Sequence, residues 1–490
     1  MPAGQLFPPL LAFSPVYCRS AGEKAPFCDC FFKQENGVKE ELMASSVKNK
    51  GWIVTFSGTG INLALGILYT WSIFKGAIKQ SIETGGEGAF NWELASLNDP
   101  YAVCCLFFAF AMILAGKCQD KFGPRITALM GGVLVGLGFM WISQTTDYVS
   151  WVLGFGVLAG VGIGFGYSAA TPPGLKWFPA TKTGLIAGLV VSGFGLASVY
   201  IAPLSKYLLG IWGLQNAMLF FGIAFLIVVC GLSMLLVNPP AGYVPGEAGA
   251  KVSKEKEGIS LTPTIAGWLP ESVSIIQASK AVEMKRDIKT WEIIKKADFY
   301  ILWVIFFIGA GVGLMVIGSV AGMAKQSMGE MAFLVVAIMA IGNAGGRVIA
   351  GVLSDRIGRS YTLIIMLLFQ AFLMFAAIPI FSAESTSPIL LVLTATFIGF
   401  NYGTNLSLFP SYTKDLWGLK NFGMNYGIVF TAWGVGGFVM GRLSQMLRAS
   451  SGTFNSSFLT AGVLLIIGAA LTFVLKASLA RQGLTQKRMA

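Results

Sequence analysis

One arginine stands where the chain is otherwise apolar. Arg347 closes the run Leu334-Val-Val-Ala-Ile-Met-Ala-Ile-Gly342-Asn-Ala-Gly-Gly and lies eight residues before Asp355. On a helix rising 1.5 Å per residue, that offset is about 12 Å, which puts a cation well inside hydrocarbon. Such a charge costs several kcal/mol unless it meets a polar cavity or an anion. A guanidinium grips a carboxylate through paired hydrogen bonds, so a carboxylate ligand is the chemistry implied. Asn343, one turn earlier on the same face, can brace the guanidinium or the ligand. The structural alternative is an arginine that caps carbonyls or pairs with an acid, but the apolar spans offer no obvious acid at that depth.

The chain carries its own control for this position. Gly116-Lys-Cys-Gln-Asp120-Lys-Phe-Gly123-Pro-Arg125 and Gly351-Val-Leu-Ser-Asp355-Arg-Ile-Gly358-Arg359 share a G-x3-D-x2-G pattern, each matching residue 235 positions apart. Such a pattern recurs by chance in turns, but here each copy follows the second long apolar segment of its half. A duplicated loop inside a duplicated helical bundle is the mark of a two-halved secondary transporter. Eight residues before Asp120 stands Met112, so the architecture does not itself require a cation at Arg347. Gly116, Asp120, Gly123, Arg125, Gly351, Asp355, Gly358 and Arg359 are the gate candidates, the two aspartates acting through charge and helix-terminus contacts.

Aromatic residues also repeat between the halves. Gly184-x3-Gly188 answers Gly423-x3-Gly427 at an offset of 239, which sets Phe194 opposite Trp433. Tyr167 and Tyr402 pair at 235. Aromatic side chains more often face lipid or core than ligand, and symmetry-related pairs beside a pseudo-two-fold axis even those odds. With Tyr69, Asn62 and Asn401 they complete the binding-site candidates. Asn62, Asn401 and Asn405 would supply hydrogen bonds either to a substrate or between helices.

The elements that hold these residues are membrane spans. The 490-residue chain is 55% hydrophobic and only 12% charged, with mean hydropathy +0.70; a soluble domain carries about 25% charged residues. A span needs roughly 20 apolar residues. The first half offers Trp52–Phe74, Pro100–Ala115 (starting nearer Ser96), Ile126–Thr145, Val149–Ala170, Gly184–Tyr207 and Gly213–Val237. The second offers Phe299–Ala324, Met331–Leu353, Thr362–Phe381, Pro388–Pro410, Gly423–Leu447 and Phe458–Leu475. The expectation is an all-α membrane protein of twelve helices, with one six-helix half over residues 51–237 and the other over 298–476. A tail covers 1–50, of which 1–42 read as disordered, a linker 238–297, and a second tail 477–490. Within the linker, Asp287–Lys296 has apolar residues at helical spacing on a basic segment, an interfacial helix or one packed on the bundle ends.

The charge of +12 does not point to nucleic acid. Lys and Arg collect in alternate loops and Asp and Glu in the others, the positive-inside pattern, which sets both termini in the cytoplasm and the protein in the cell (inner) membrane. With no histidine, histidine triads and histidine metal sites are excluded. Seven scattered cysteines give no disulfide framework, and Cys28-Asp-Cys30 lacks the further ligands a metal needs. No enzyme, metal or cofactor is expected.

Asn62-Leu-Ala-Leu-Gly-Ile-Leu-Tyr-Thr-Trp-Ser-Ile-Phe74, both loops, Gly342-Asn-Ala-Gly-Gly-Arg347 and Tyr426-Gly-Ile-Val-Phe-Thr-Ala-Trp-Gly434 resemble the oxalate:formate antiporter family of the major facilitator superfamily. The likeness runs from about residue 48 to 476. It implies twelve helices, alternating access and a central cavity for a small organic anion. In the oxalate carrier an arginine on the eighth helix and a lysine on the eleventh hold the dianion; Arg347 matches the first, and Trp433 stands where the lysine would fall. One buried cation balances one negative charge, so a monocarboxylate such as formate, lactate or pyruvate is the expected substrate. An oxalate or dicarboxylate exchanger is the alternative. The arrangement is also similar to animal monocarboxylate transporters, whose eighth helix pairs an aspartate with the arginine four residues on; Asn343 takes the aspartate's place. Proton coupling would then travel on the substrate's own carboxyl or by a route not visible in the residues, and a counter-anion is the other possibility. Cation efflux would want a buried acid, and a transporter-like nutrient sensor would want a signalling domain that neither linker nor tail is long enough to supply. A monomer in the bilayer is expected.

Overall fold

The computed structural model describes residues 49–86, 88–240, 243, 245, 287–328, 332–382 and 387–489. The tail 1–48, with Cys28 and Cys30, and most of the linker lie outside them. All the helices below belong to one compact unit, residues 49–239 and 245–490. Of the smaller unit, only Pro240 and Tyr243 are described.

Among the described residues the regular structure is all helical. We number the long helices α1 Gly51–Thr84, α2 Ser96–Phe122, α3 Pro124–Ile142 and α4 Tyr148–Trp177. The helix Thr183–Ser233 breaks at Gly213 (φ 72°), giving α5 before the break and α6 after it. The second half follows with α7 Ala297–Met328, α8 Ala332–Ile357, α9 Arg359–Ser382, α10 Pro388–Trp417, α11 Phe422–Ser451 and α12 Asn455–Met489. Ten of these helices are long and apolar enough to cross a membrane, with α5 and α6 counted together. The remaining one, α11, is 30 residues long, about 45 Å at 1.5 Å per residue; its lower apolarity fits a helix that faces protein.

Three expectations change. The span α1 runs beyond Phe74 to Thr84, longer than the roughly 20 residues a span needs. The segment Asp287–Lys296 is not a surface helix: only Thr290–Ile293 is helical. The residues before it instead hydrogen-bond to the α10–α11 turn. The tail after residue 477 continues α12 as helix.

The halves meet through α2 against α11 and α5 against α8, and glycine makes both contacts possible. On α5, a Cβ at Gly184 would overlap the Gly351 carbonyl and one at Gly188 the Arg347 carbonyl. On α11, a Cβ at Gly423 would crowd the Gly116 carbonyl and one at Gly427 would overlap that of Met112. Thus the Arg347 and Met112 positions occupy equivalent places in two equivalent helix crossings. Close approach of this kind is how small residues drive association where lipid removes the hydrophobic force.

Candidate functional site

The duplicated loop explains itself residue by residue. Its last glycine, Gly123 or Gly358, takes φ of 85° or 92°, a left-handed conformation that glycine adopts without steric cost. Its first glycine sits at the backbone crossing between halves. Its aspartate reaches over to the other half. Asp355 accepts hydrogen bonds from the Gly184 and Leu185 N–H groups, both at 2.9 Å. Asp120 does the same with Gly423 and Met424, both at 3.0 Å. Each carboxylate therefore caps the first turn of the opposite half's helix, where unpaired donors and the dipole favour an anion.

The two latches differ in their support. Arg359 donates to Asp355 (2.6 Å), to Ser354 (2.5 Å) and to Asp415 (2.9 Å). Nearby, Lys414 of α10 donates to Thr183 across the halves at 2.5 Å. In the first loop Pro124 occupies the place of Arg359, and Arg125 is exposed. The cation acting on Asp120 is Lys176 at the end of α4, which also faces Asp287. Arg125 and Arg359 are thus not equivalent, since one residue of register turns the first away from the latch.

The linker's end joins this region. Ile288 N–H donates to the Trp417 carbonyl (3.1 Å), and the Ile288 carbonyl accepts from Asn425 (3.2 Å) and Asn421 (3.3 Å). Thr290 donates to Asn425 at 2.6 Å, and Asp287 accepts from the Lys420 N–H at 3.1 Å. The α10–α11 turn is therefore held by Asp120 on one side and by the linker on the other.

Deeper in the bundle, Arg347 has no exposed surface. Its Nε donates to Asn343 at 3.0 Å and one Nη to the Val191 carbonyl of α5, while Nη2 has no partner. Ion pairs among the described residues include Lys79–Glu83, Arg359–Asp355 and Arg359–Asp415. Among the described residues no carboxylate pairs with Arg347. It is braced as a cation but not neutralised.

Aromatic residues surround it. Tyr69 and Tyr402 hydroxyls lie 2.7 Å apart, and the Trp433 indole N–H donates to Tyr402 at 2.8 Å. Phe194 stands edge-on to Tyr69 (5.1 Å) and Tyr167 (5.5 Å). Phe430 stacks on Trp433 at 5.1 Å, and Phe108 packs on both at 5.2 Å. The Tyr167 and Tyr426 hydroxyls, both buried, make no close hydrogen bond. A cavity of about 20 Å³ opens beside Asn343, lined by Tyr69, Ser198, Ile317 and Met339 among others; it has room for about one water. Its α8 and α5 residues lie on the side of Arg347 away from the latches, so this conformation is shut at the latch end.

The structure brings Arg347, Asn343, Tyr69, Tyr402, Trp433, Phe194 and Tyr167 into one centre. Asn62 and Asn401 spend their amide N–H groups between and within helices, while the Oδ1 of each is buried without a partner. Asn62 donates to the Val190 carbonyl at 2.9 Å, tying α1 to α5. Asn401 donates within α10, to the Phe397 carbonyl at 3.0 Å. Sequence reasoning missed Phe108, Tyr426 and Phe430. The i, i+4 spacing of Tyr426, inside the Gly423-x3-Gly427 motif, and Phe430, just after it, was the available signal. It also missed Asp415 and Lys176, which carry no pattern of their own.

A family model described as Major Facilitator Superfamily matches residues 51–331 and 302–488. The chain belongs to that superfamily. It is a multi-pass membrane transporter and not an enzyme. It is similar to the uncharacterised MFS-type transporter YhjX of Escherichia coli, 28% identical over 81% of this chain and 88% of that one. It is similar also to the oxalate:formate antiporter of Oxalobacter formigenes, 26% identical over 86% and 90%. Among solved structures it resembles the major facilitator proton:xylose symporter XylE, with TM-score 0.65 and 14% identity over 87% and 96% of the two chains. That likeness speaks for the fold alone.

Proposed function

We propose that the protein carries a small monocarboxylate, such as formate, lactate or pyruvate, across the cell membrane by alternating access, with Arg347 as the ligand of the carboxylate. The observation that carries this reading is a fully buried guanidinium that no carboxylate among the described residues neutralises and that keeps one Nη without a partner. An uncompensated cation at that depth is expensive unless an anion visits it. The charge sets the valence: Trp433, on α11, is neutral, so a dianion would bring one negative charge that nothing balances. Phe194, Phe430 and Trp433 keep water from the ion pair and strengthen it.

Asp120 and Asp355 hold the gate at their end, which the positive-inside pattern makes the cytoplasmic end, with both termini on that side and the protein in the inner membrane. A second reading, exchange of oxalate for formate, draws on the likeness to the antiporter of that name.

The test is uptake by purified protein in liposomes, with labelled formate, lactate, pyruvate and oxalate, in empty or anion-preloaded vesicles. Monocarboxylate uptake that requires preloading marks an exchanger. Uptake into empty vesicles under a pH gradient marks a proton-linked carrier. Strong oxalate uptake favours the second reading, and no uptake of any anion refutes both.

A further inference from the structure

The hydrogen-bond directions beside Arg347 are constrained by chemistry. An indole N–H only donates, so in the 2.8 Å bond between Trp433 and Tyr402 the Tyr402 oxygen must accept. Tyr402 has no exposed surface, and its own proton needs an acceptor. The Tyr69 oxygen lies 2.7 Å away. Leaving a buried donor unmade is costly, so the satisfied arrangement runs from Trp433 to Tyr402 to Tyr69. That order leaves the Tyr69 proton as the free end of the chain. Tyr69 lines the small cavity together with Asn343, the residue that braces Arg347.

Resting on the reading that Arg347 receives a carboxylate, we infer that Trp433 and Tyr402 are positioning residues which aim the Tyr69 hydroxyl at that carboxylate as its second, uncharged ligand. Trp433 then does two things. It withholds the second positive charge that a dianion would need, and it fixes the polarity of a donor suited to one carboxylate. Each link in such a chain polarises the next, so the terminal hydroxyl donates more strongly than an isolated phenol. Neither Trp433 nor Tyr402 has to touch the substrate.

The prediction is non-additivity. In proteoliposomes, Tyr69→Phe raises the KM for the transported monocarboxylate by about tenfold, the usual scale for one hydrogen bond to a charged group, and leaves the maximal rate nearly unchanged. Tyr402→Phe raises KM by a comparable factor, and Trp433→Phe by less, because Tyr402 can still donate without it. In the Tyr69→Phe background neither second substitution raises KM further. Effects that multiply in the double variants would show independent structural roles and overturn the relay, as would an unchanged KM in Tyr402→Phe. Should Tyr402→Phe fail to insert, Trp433→Phe with and without Tyr69→Phe reports the same link. The wild-type panel separates the two ideas: no transport of any of the four anions removes the Arg347 reading, and the relay with it. Transport with additive variants removes the relay alone.

Discussion

The Asp355 carboxylate and the Gly184 amide, 171 residues apart, meet at 2.9 Å across the interface between halves. Asp120 and Gly423 repeat the contact at 3.0 Å, 303 residues apart. Closure at this end is therefore two helix caps supplied in trans. Asp355→Asn keeps the shape but swaps an anionic acceptor for an amide whose Nδ2 confronts one of the two N–H groups. The closed conformation loses about 1–3 kcal/mol. Turnover in proteoliposomes should fall several-fold while the KM moves little; an effect confined to KM would contradict the latch.

Arg359→Ala should resemble a weaker Asp355→Asn, because it removes the cation that steadies Asp355 and Asp415. Arg125→Ala should leave transport within twofold, since Arg125 is exposed and Lys176 is the cation near Asp120. Initial uptake rates of the pair decide this. Equal losses would mean that the two loops are supported alike.

Gly351→Val places a branched side chain where the Gly184 carbonyl passes. The halves cannot then close at the latch end, and transport should stop while the purified protein still melts cooperatively. Rapid transport by this variant would show that the crossing of α5 and α8 is not required for the cycle.

The fold was legible because its signals are long and repeated: a dozen apolar stretches, basic loops in alternation, and a loop motif copied 235 residues on. Comparing the copies also drew attention to Arg347 against Met112, and the structure sets those two at equivalent crossings. What the sequence hid was direction. Nothing in the spacing of Arg125 says that it is exposed while Arg359 is bound to Asp355, and nothing in Asn62 says that its N–H group binds the Val190 carbonyl. Asp287 to Thr290 read as part of an amphipathic helix by periodicity. Their hydrogen bonds to residues 417–425 are tertiary contacts that no local pattern announces.

Asn425 is the test of that linker contact. It donates to Ile288 and accepts from Thr290, so Asn425→Ala should lower stability by about 1–2 kcal/mol. A drop of a few degrees in the melting temperature of detergent-purified protein checks this. An unchanged melt would mean that the linker's end contributes nothing to the fold.

Valence should follow charge. Trp433→Lys adds the second cation that the resemblance to the oxalate carrier implies, at the cost of the Tyr402 hydrogen bond. Competition between labelled formate and oxalate should shift toward oxalate by at least about tenfold, the scale of one charge-assisted hydrogen bond. Unchanged preference would mean that this site does not set substrate charge.

The central claim is that Arg347 is the carboxylate's ligand, and direct binding tests it without the complications of turnover. Titrating purified wild-type and Arg347→Gln protein with a labelled monocarboxylate found in the uptake panel should give saturable binding to the first. The second should bind at least about 30-fold more weakly, with an intact melting transition. Equal affinity in the two proteins would contradict the account.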